Sequence, residues 1–274
     1  MDATSMTLTG TATKEGVMTE QARLVGKRAL VTGGSRGIGA AIARRLAAEG
    51  AAVAINYVAD ESSADKLVAE LTDQGHQVAA FRADISDPAQ THDMVGQVVQ
   101  AFGGLDILAS NAGVEYFGAL ESITLADFDR VFHINVAGQL FATQAAAAAM
   151  TGGGRILLTS SVSARLRVSQ HTLYAASKAA VSAMALNLAP ELAERGIAIN
   201  AIAPGGTDTD MAADVAGYAP PALRDVPADA LIASMTVIGR LAQPDEIAAV
   251  AAFLLSPDAS YITGEIIEAS GGWR

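Results

Sequence analysis

The chain predicts an α/β fold in which one doubly wound parallel sheet of about seven strands carries helices on both faces. Three observations carry this reading. Short apolar runs alternate with stretches of helical period along the 274 residues, the pattern of repeated strand–helix–strand units joined by right-handed crossovers. The first unit places a tight glycine turn, Thr32-Gly33-Gly34-Ser35-Arg36-Gly37-Ile38-Gly39, between its strand and its helix. A hydrophobic content of 51% suffices for one large core, and no linker divides residues 23 to 274. Residues 1 to 22 are polar and are expected to form a flexible tail.

Taken in order, Ala29, Leu30 and Val31 suit a buried parallel strand, and residues 40 to 49 a helix with Ile42 and Leu46 one turn apart. Gly50 stops that helix. A second strand is expected at 53 to 56, a helix at 63 to 75 with Leu67, Val68 and Leu71 inward, and a third strand at 78 to 81. Asp87 and Pro88 read as cap and first turn of a helix whose inner face is Met94, Val95, Val98 and Val99. A fourth strand at 106 to 108 runs into Asn111-Ala112-Gly113. One long helix is expected from 124 to 150, with Phe128, Val131, Phe132, Val136 and Leu140 as its buried stripe. Strands at 155 to 159, 197 to 202 and 265 to 268 and helices at 174 to 194 and 244 to 255 complete the pattern. The stretch from about 207 to 237, broken by Pro220, Pro221 and Pro227, is long for a connection and suggests a substrate lid.

A glycine-rich turn alone is only a turn. Between a strand and a helix it becomes the start of a Rossmann-type unit, because the first helical amides and the helix dipole face an anion lying in the turn. The spacing is Gly33-x-x-x-Gly37-x-Gly39, and the Gly-Lys-Ser/Thr of a Walker loop is missing. A nucleotide cofactor is therefore expected. The net charge of −11 argues against nucleic acid as a partner. Without cysteine, and with His76, His92, His133 and His171 at no ligand spacing, no metal is expected. No apolar run reaches the length of a membrane span or a signal core, so the protein is expected to be soluble and cytoplasmic.

Ser161, Tyr174 and Lys178 carry the expected chemistry. Tyr174 and Lys178 are four apart on a helix and share a face. A neighbouring ammonium stabilises a phenolate, so Lys178 is expected to lower the ionisation of Tyr174 toward neutral pH, while Ser161 donates a hydrogen bond to a carbonyl oxygen. His171 is expected to line the substrate mouth or face solvent, since nothing nearby in sequence orients it as a base. Thr32-Gly33-x-x-x-Gly37-x-Gly39, Asn111-Ala112-Gly113, Asn135, Ser161, Tyr174-x-x-x-Lys178 and Pro204-Gly205 occur in one order. In these residues the chain resembles the short-chain dehydrogenase/reductase family, from about Arg28 onward.

The resemblance implies a catalytic set of Asn135, Ser161, Tyr174 and Lys178, with Asn135 holding a water that connects Lys178 to solvent. It implies cofactor contacts from Gly33, Ser35, Arg36, Gly37, Ile38, Gly39, Asn56, Asp84, Ile85, Asn111, Ala112, Gly113, Tyr174, Lys178, Pro204, Gly205, Thr207 and Thr209. Ser270 departs from the Asp common before the final glycine pair. NADP(H) is expected over NAD(H), because Asn56-Tyr57 replaces an acidic residue at the end of the second strand and Arg36 offers a cation to a 2′-phosphate, although Asp60 and Glu61 follow closely. The pattern is similar to 3-oxoacyl-carrier-protein reductases and to fungal polyhydroxynaphthalene reductases, which implies reduction of a 3-oxoacyl or cyclic ketone. The alternatives are an NAD-dependent secondary-alcohol dehydrogenase and a non-catalytic cofactor sensor. A homotetramer is expected from the family and from alanine-rich helix faces at 145 to 149 and 175 to 180. The expected pocket walls are Val114, Tyr116, Phe117, Leu166, Val168, Leu173, Met211 and Tyr218, with Glu115, Arg165, Arg167 and His171 as its charged or titratable groups.

Overall fold

Seven parallel strands lie in the order β3-β2-β1-β4-β5-β6-β7 in a computed structural model that describes residues 22–212 and 226–273. The strands are β1 (Arg28–Thr32), β2 (Ala52–Tyr57), β3 (Val78–Arg82), β4 (Ile107–Ser110), β5 (Gly154–Thr159), β6 (Ile197–Pro204) and β7 (Ile266–Ala269). The order reverses between β1 and β4, so the first crossovers run one way and the later ones the other, and a crevice opens between their carboxyl ends. The register Thr32↔Ser110 sets the ends of these two strands level, which brings the turn after β1 beside the Asn111 segment.

Helices α1 (Gly37–Ala48), α2 (Glu61–Asp73), α3 (Pro88–Phe102), α4 (Leu125–Phe132), α5 (Gly138–Ala149), α6 (Thr172–Ala193), α7 (Ala228–Met235) and α8 (Pro244–Leu255) accompany the sheet. One core, built on Val31, Val53, Ile55 and Leu157, packs against Ile42 and Leu46 of α1 and Ile247 of α8. The other, built on Leu30, Leu108, Ile156 and Ile199, packs against Met94 and Val98 of α3, Ala142 of α5 and Val181 of α6. Strand residues face these two cores alternately, which is why the strands read as unbroken apolar runs.

The helix starts follow from local chemistry. Asp60 accepts from Ser63 N, and Asp87 accepts from Ala89 N with Pro88 in the first turn. Thr124 and Asp127 close a reciprocal capping box on α4. The expected single helix from 124 to 150 is instead two α-helices joined by a π-helical turn, His133–Ala137. That turn shifts the later residues round the axis. Val131 is buried, whereas Phe128 is 42% and Leu140 37% exposed, so the expected buried stripe does not exist as one face. Within the expected lid, Thr207 bridges to Ala242 and α7 forms; its residues 213 to 225, like the expected tail at 1 to 21, lie outside the described residues.

Candidate active site

The glycine turn is shaped by close approach. Gly33 has φ +60°, and a Cβ there would stand 2.8 Å from Ala112 Cα; at Gly39 it would stand 2.1 Å from Gly33 O. Thr32 fastens this turn to β4: its Oγ1 accepts from Asn111 N at 3.0 Å and Ala112 N at 3.1 Å. Asn111 Nδ2 returns hydrogen bonds to Thr32 O and Gly33 O at 3.3 and 3.2 Å. Asn56 lines the same cavity, but its amide serves the backbone, accepting from Gly33 N at 3.2 Å and donating to Ala83 O at 3.0 Å. Asp84 is similarly anchored, accepting from Ser86 N at 2.9 Å and Ser86 Oγ at 2.7 Å. Arg36 precedes α1 in extended backbone. The Asp60 carboxyl lies below its ordinary value, chiefly through hydrogen bonds from Ser63 and in smaller part through the Arg36 charge.

Around the end of β5 the catalytic candidates meet. Tyr174 stands in the first turn of α6 and forms a side-chain hydrogen bond with Ser161. Lys178 Nζ lies 5.5 Å from the centre of the Tyr174 ring and donates to Thr159 O at 2.8 Å. Burial pushes the Tyr174 phenol up, the Glu115 carboxylate pushes it further, and the Ser161 bond opposes both. Burial also lowers Lys178 to about 8. The lowering of Tyr174 expected from Lys178 is thus reversed in the polypeptide alone, because withdrawal from water disfavours the phenolate and weakens the ammonium that was to stabilise it.

Asn135 lies within the π turn, completely buried. Its Oδ1 accepts from Val114 N at 2.8 Å, and its Nδ2 donates to Val114 O at 2.9 Å and Ser177 Oγ at 3.0 Å. Gln139, which sequence reasoning did not single out, ties this turn to β5: Nε2 donates to Asn135 O and Thr159 O, and Oε1 accepts from Thr159 N at 3.0 Å. A polar Gln four residues after Asn135, on the same helix face, was the available signal. His171 neither faces solvent nor lines the cavity. Its ring is wholly buried, stacked between Phe117 and Tyr174, and its Nε2 lies 3.1 Å from Glu115 Oε1. The group that orients it comes from 56 residues upstream, beyond the reach of local sequence.

All the expected site residues except Gly39 and Asn135 line one cavity of about 400 Å³. Ser35, Arg36, Gly37, Ile38, Asp84 and Ile85 share its wall with Ser161, Tyr174 and Lys178 and with Pro204, Gly205, Thr207 and Thr209. Thr207 Oγ1 donates to Gly205 O at 3.1 Å. Of the expected apolar walls, Val114, Leu166, Val168 and Met211 are present; Tyr116, Phe117 and Leu173 are not, and Tyr218 lies outside the described residues. Trp273 was missed and lines the cavity beside Gly206, where an added Cβ would lie 2.5 Å from the indole. Its N donates to Ser270 Oγ at 3.4 Å. Glu115 reaches the cavity, while Arg165 pairs with Glu268 away from it and Arg167 does not line it. Among the described residues no cluster of His, Asp or Glu could hold a metal, and no helix is long and apolar enough to cross a membrane.

A family model described as Enoyl-(Acyl carrier protein) reductase matches residues 33–274. The chain is 41% identical over 254 residues to a hydroxynaphthalene reductase-like protein of Metarhizium majus, covering 91% of this chain and 95% of the relative. It is 40% identical over 259 residues to versicolorin reductase 1 of Aspergillus parasiticus, covering 93% and 99%. A short-chain dehydrogenase from Burkholderia cenocepacia, solved in complex with NADP, superposes with a TM-score of 0.83 at 44% identity over 91% of this chain and 98% of that one. The chain belongs to the short-chain dehydrogenase/reductase family. Its class is that of oxidoreductases acting on CH–OH and carbonyl groups with a nicotinamide cofactor.

Proposed function

We propose that the protein is an NADP(H)-dependent carbonyl reductase whose substrate is a cyclic or 3-oxoacyl ketone with an apolar or aromatic body. The observation that carries it is the grouping of buried Ser161 and Lys178 with half-buried Tyr174 on the wall of the cavity that begins at the glycine turn. The turn fits a dinucleotide: Gly33 and Gly39 leave no room for a side chain, and α1 presents its first amides there. Arg36 would hold the 2′-phosphate, and Asp84 and Ile85 would flank the adenine. Asn111 to Gly113 would lie along the ribose, and Thr207 and Thr209 near the carboxamide.

When bound, the cofactor supplies the hydride for reduction or accepts it for oxidation. The chain handles the proton. Ser161 donates a hydrogen bond to the carbonyl oxygen, and the Tyr174 O–H transfers its proton to that oxygen as the C–H bond forms. Lys178 would bond the ribose and bias Tyr174 electrostatically. Asn135 holds Val114 in place and would hold a water that connects Lys178 to solvent. The naphthalene ring in the name of the Metarhizium majus relative supports a ring ketone, and Trp273, Leu166, Val168 and Met211 suit one. Asp60, on the same cavity, is the observation that keeps NAD(H) as a second cofactor reading.

The homotetramer and a cytoplasmic setting remain part of this proposal, with the exposed apolar side chains of α4 to α6 as the packing surface. A panel of 3-oxoacyl thioesters, cyclic ketones and hydroxylated naphthalenones, followed by NADPH absorbance, tests the reading. Turnover of at least one class is expected from the wild type and none from Tyr174→Phe, which should still bind NADPH. Equal turnover by both proteins would overturn the mechanism, and NADPH binding without any turnover would favour the sensor.

A further inference from the structure

Behind Tyr174 three elements converge on a pair of residues to which the proposed proton transfer assigns no role. The loop after β4 brings Glu115 and Phe117, the segment before α6 brings His171, and α6 brings Tyr174. The His171 ring stacks on Phe117 with centroids 4.3 Å apart and planes 6° apart, and on Tyr174 with centroids 4.6 Å apart and planes 20° apart. Its Nε2 lies 3.1 Å from Glu115 Oε1; since a carboxylate only accepts, this nitrogen donates. The two loops are also joined through their backbones. Gly118 N donates to Gln170 O at 2.8 Å, and Gln170 has φ +62°, in the left-handed region. Glu115 therefore reaches the cavity at a fixed place, its side chain 12% exposed, on the same wall as Tyr174 and Lys178.

We propose that Glu115 and His171 are a positioning pair for Tyr174, in which the imidazole holds the tyrosine ring and the carboxylate supplies a local negative charge that biases the site toward proton donation, hence toward carbonyl reduction. The inference rests on the reading of Tyr174 as the acid. A negative charge beside a phenol disfavours the phenolate. Among the described residues, the charged or titratable groups bearing on Tyr174 are Glu115 from the loop after β4, His171 from the segment before α6 and Lys178 from α6 itself; Ser161, at the end of β5, is neutral. The Glu115 charge acts in the same sense on Tyr174 and Lys178, favouring the protonated form of each. A site built this way keeps its proton donor loaded into alkaline solution, and it opposes alcohol oxidation, which needs the phenolate.

The test compares wild type, Glu115→Gln and Glu115→Asp in two measurements. In the first, the protein carries ¹³Cζ-labelled tyrosine and the Tyr174 signal, assigned by its loss in Tyr174→Phe, is followed against pH. This reading needs no substrate, so it stands or falls separately from the proposed function. Glu115→Gln is expected to bring the ionisation of Tyr174 down by on the order of one pH unit, a tenfold change in its acid constant, and Glu115→Asp to restore most of it. In the second, the alkaline limb of kcat/KM for ketone reduction should move down by the same amount in Glu115→Gln, while oxidation of the product alcohol gains at neutral pH. A Tyr174 signal that behaves identically in wild type and Glu115→Gln, including one that stays protonated throughout in both, overturns the proposal. So does a Glu115→Gln effect confined to KM with the pH limb unmoved, which would make Glu115 a substrate contact. His171→Gln, which can still donate to Glu115, should keep the pH limb while lowering kcat; a limb displaced as far as in Glu115→Gln would contradict the division of roles.

Discussion

Lys178 is 3% exposed, and burial lowers it from an ordinary value of 10.5 to about 8. Between those values the unfolded chain holds a proton that the folded chain has released, so this group makes stability rise with pH across that window. Its contribution is complete above about 10.5 and lost as pH falls to about 8. The stability of wild type relative to Lys178→Met, from urea melts, is therefore expected to climb from pH 8 to 10.5, by about 3 kcal/mol at most. A flat difference would contradict the burial. In the proposed reading Arg36 carries the cofactor preference. Charge-assisted hydrogen bonds to a phosphate contribute about 1.5–3 kcal/mol, so Arg36→Ala should weaken NADPH binding by roughly tenfold or more and leave NADH nearly unchanged. Calorimetric titration of both nucleotides reads this directly, and equal losses would place the 2′-phosphate elsewhere.

At the scale of the element, the joints matter more than the rods. The π turn at His133–Ala137 aims Asn135 inward, and Gln139 then links that turn to the Thr159 strand end from which Lys178 also hangs. Gln139→Leu keeps the volume but strands Thr159 N and Asn135 O in the interior. Orphaned buried polar groups cost about 1–3 kcal/mol each, so a loss of roughly 2–6 kcal/mol is expected in chemical denaturation, with a fall in kcat from the displaced strand end. A stability within 0.5 kcal/mol of wild type, on the order of an ordinary surface change, would show that the link is dispensable. The glycine turn is a joint of the same kind. Gly39→Ala drives a methyl onto the Gly33 carbonyl, so NADPH binding should be lost before the fold is.

Across the whole molecule, α4 to α6 leave apolar side chains in water: Leu125 is 74% exposed, Phe128 42%, Leu140 37% and Leu186 51%, and Phe128 stacks on Phe132 at 4.3 Å. Apolar side chains gathered on neighbouring helices mark a contact surface. A homotetramer is expected in light scattering at micromolar concentration. Phe128→Glu, in the open on one chain, should leave the monomer's fold intact and yield smaller species. A wild-type monomer would refute the assembly, and a tetramer unaffected by Phe128→Glu would put the interface on another face.

By itself the sequence determined the sheet, its parallel sense and the place of the crevice. Apolar runs of strand length, Asp87-Pro88 and Thr124 at helix starts, and Gly33, Gly37 and Gly39 in the turn act over a few residues, and such short-range rules are legible in one dimension. Tyr174 and Lys178 were legible for the same reason, being one helical turn apart. What only the tertiary structure decided involves partners far along the chain. The wide turn at Asn135 is bonded to Val114 and Gln139, and it turns the residues after it round the axis, so that Leu140, which periodicity had assigned to the core, is 37% exposed. Asn56 had the right position but spends its amide on Gly33 and Ala83. Burial reversed the expected ionisation of Tyr174, since charge proximity can be read from spacing whereas withdrawal from water cannot. Trp273 reaches the cavity only because β7 lies beside β6, and His171 was read as lining the substrate mouth or facing solvent because Glu115 and Phe117, which enclose it, arrive from the end of a different strand.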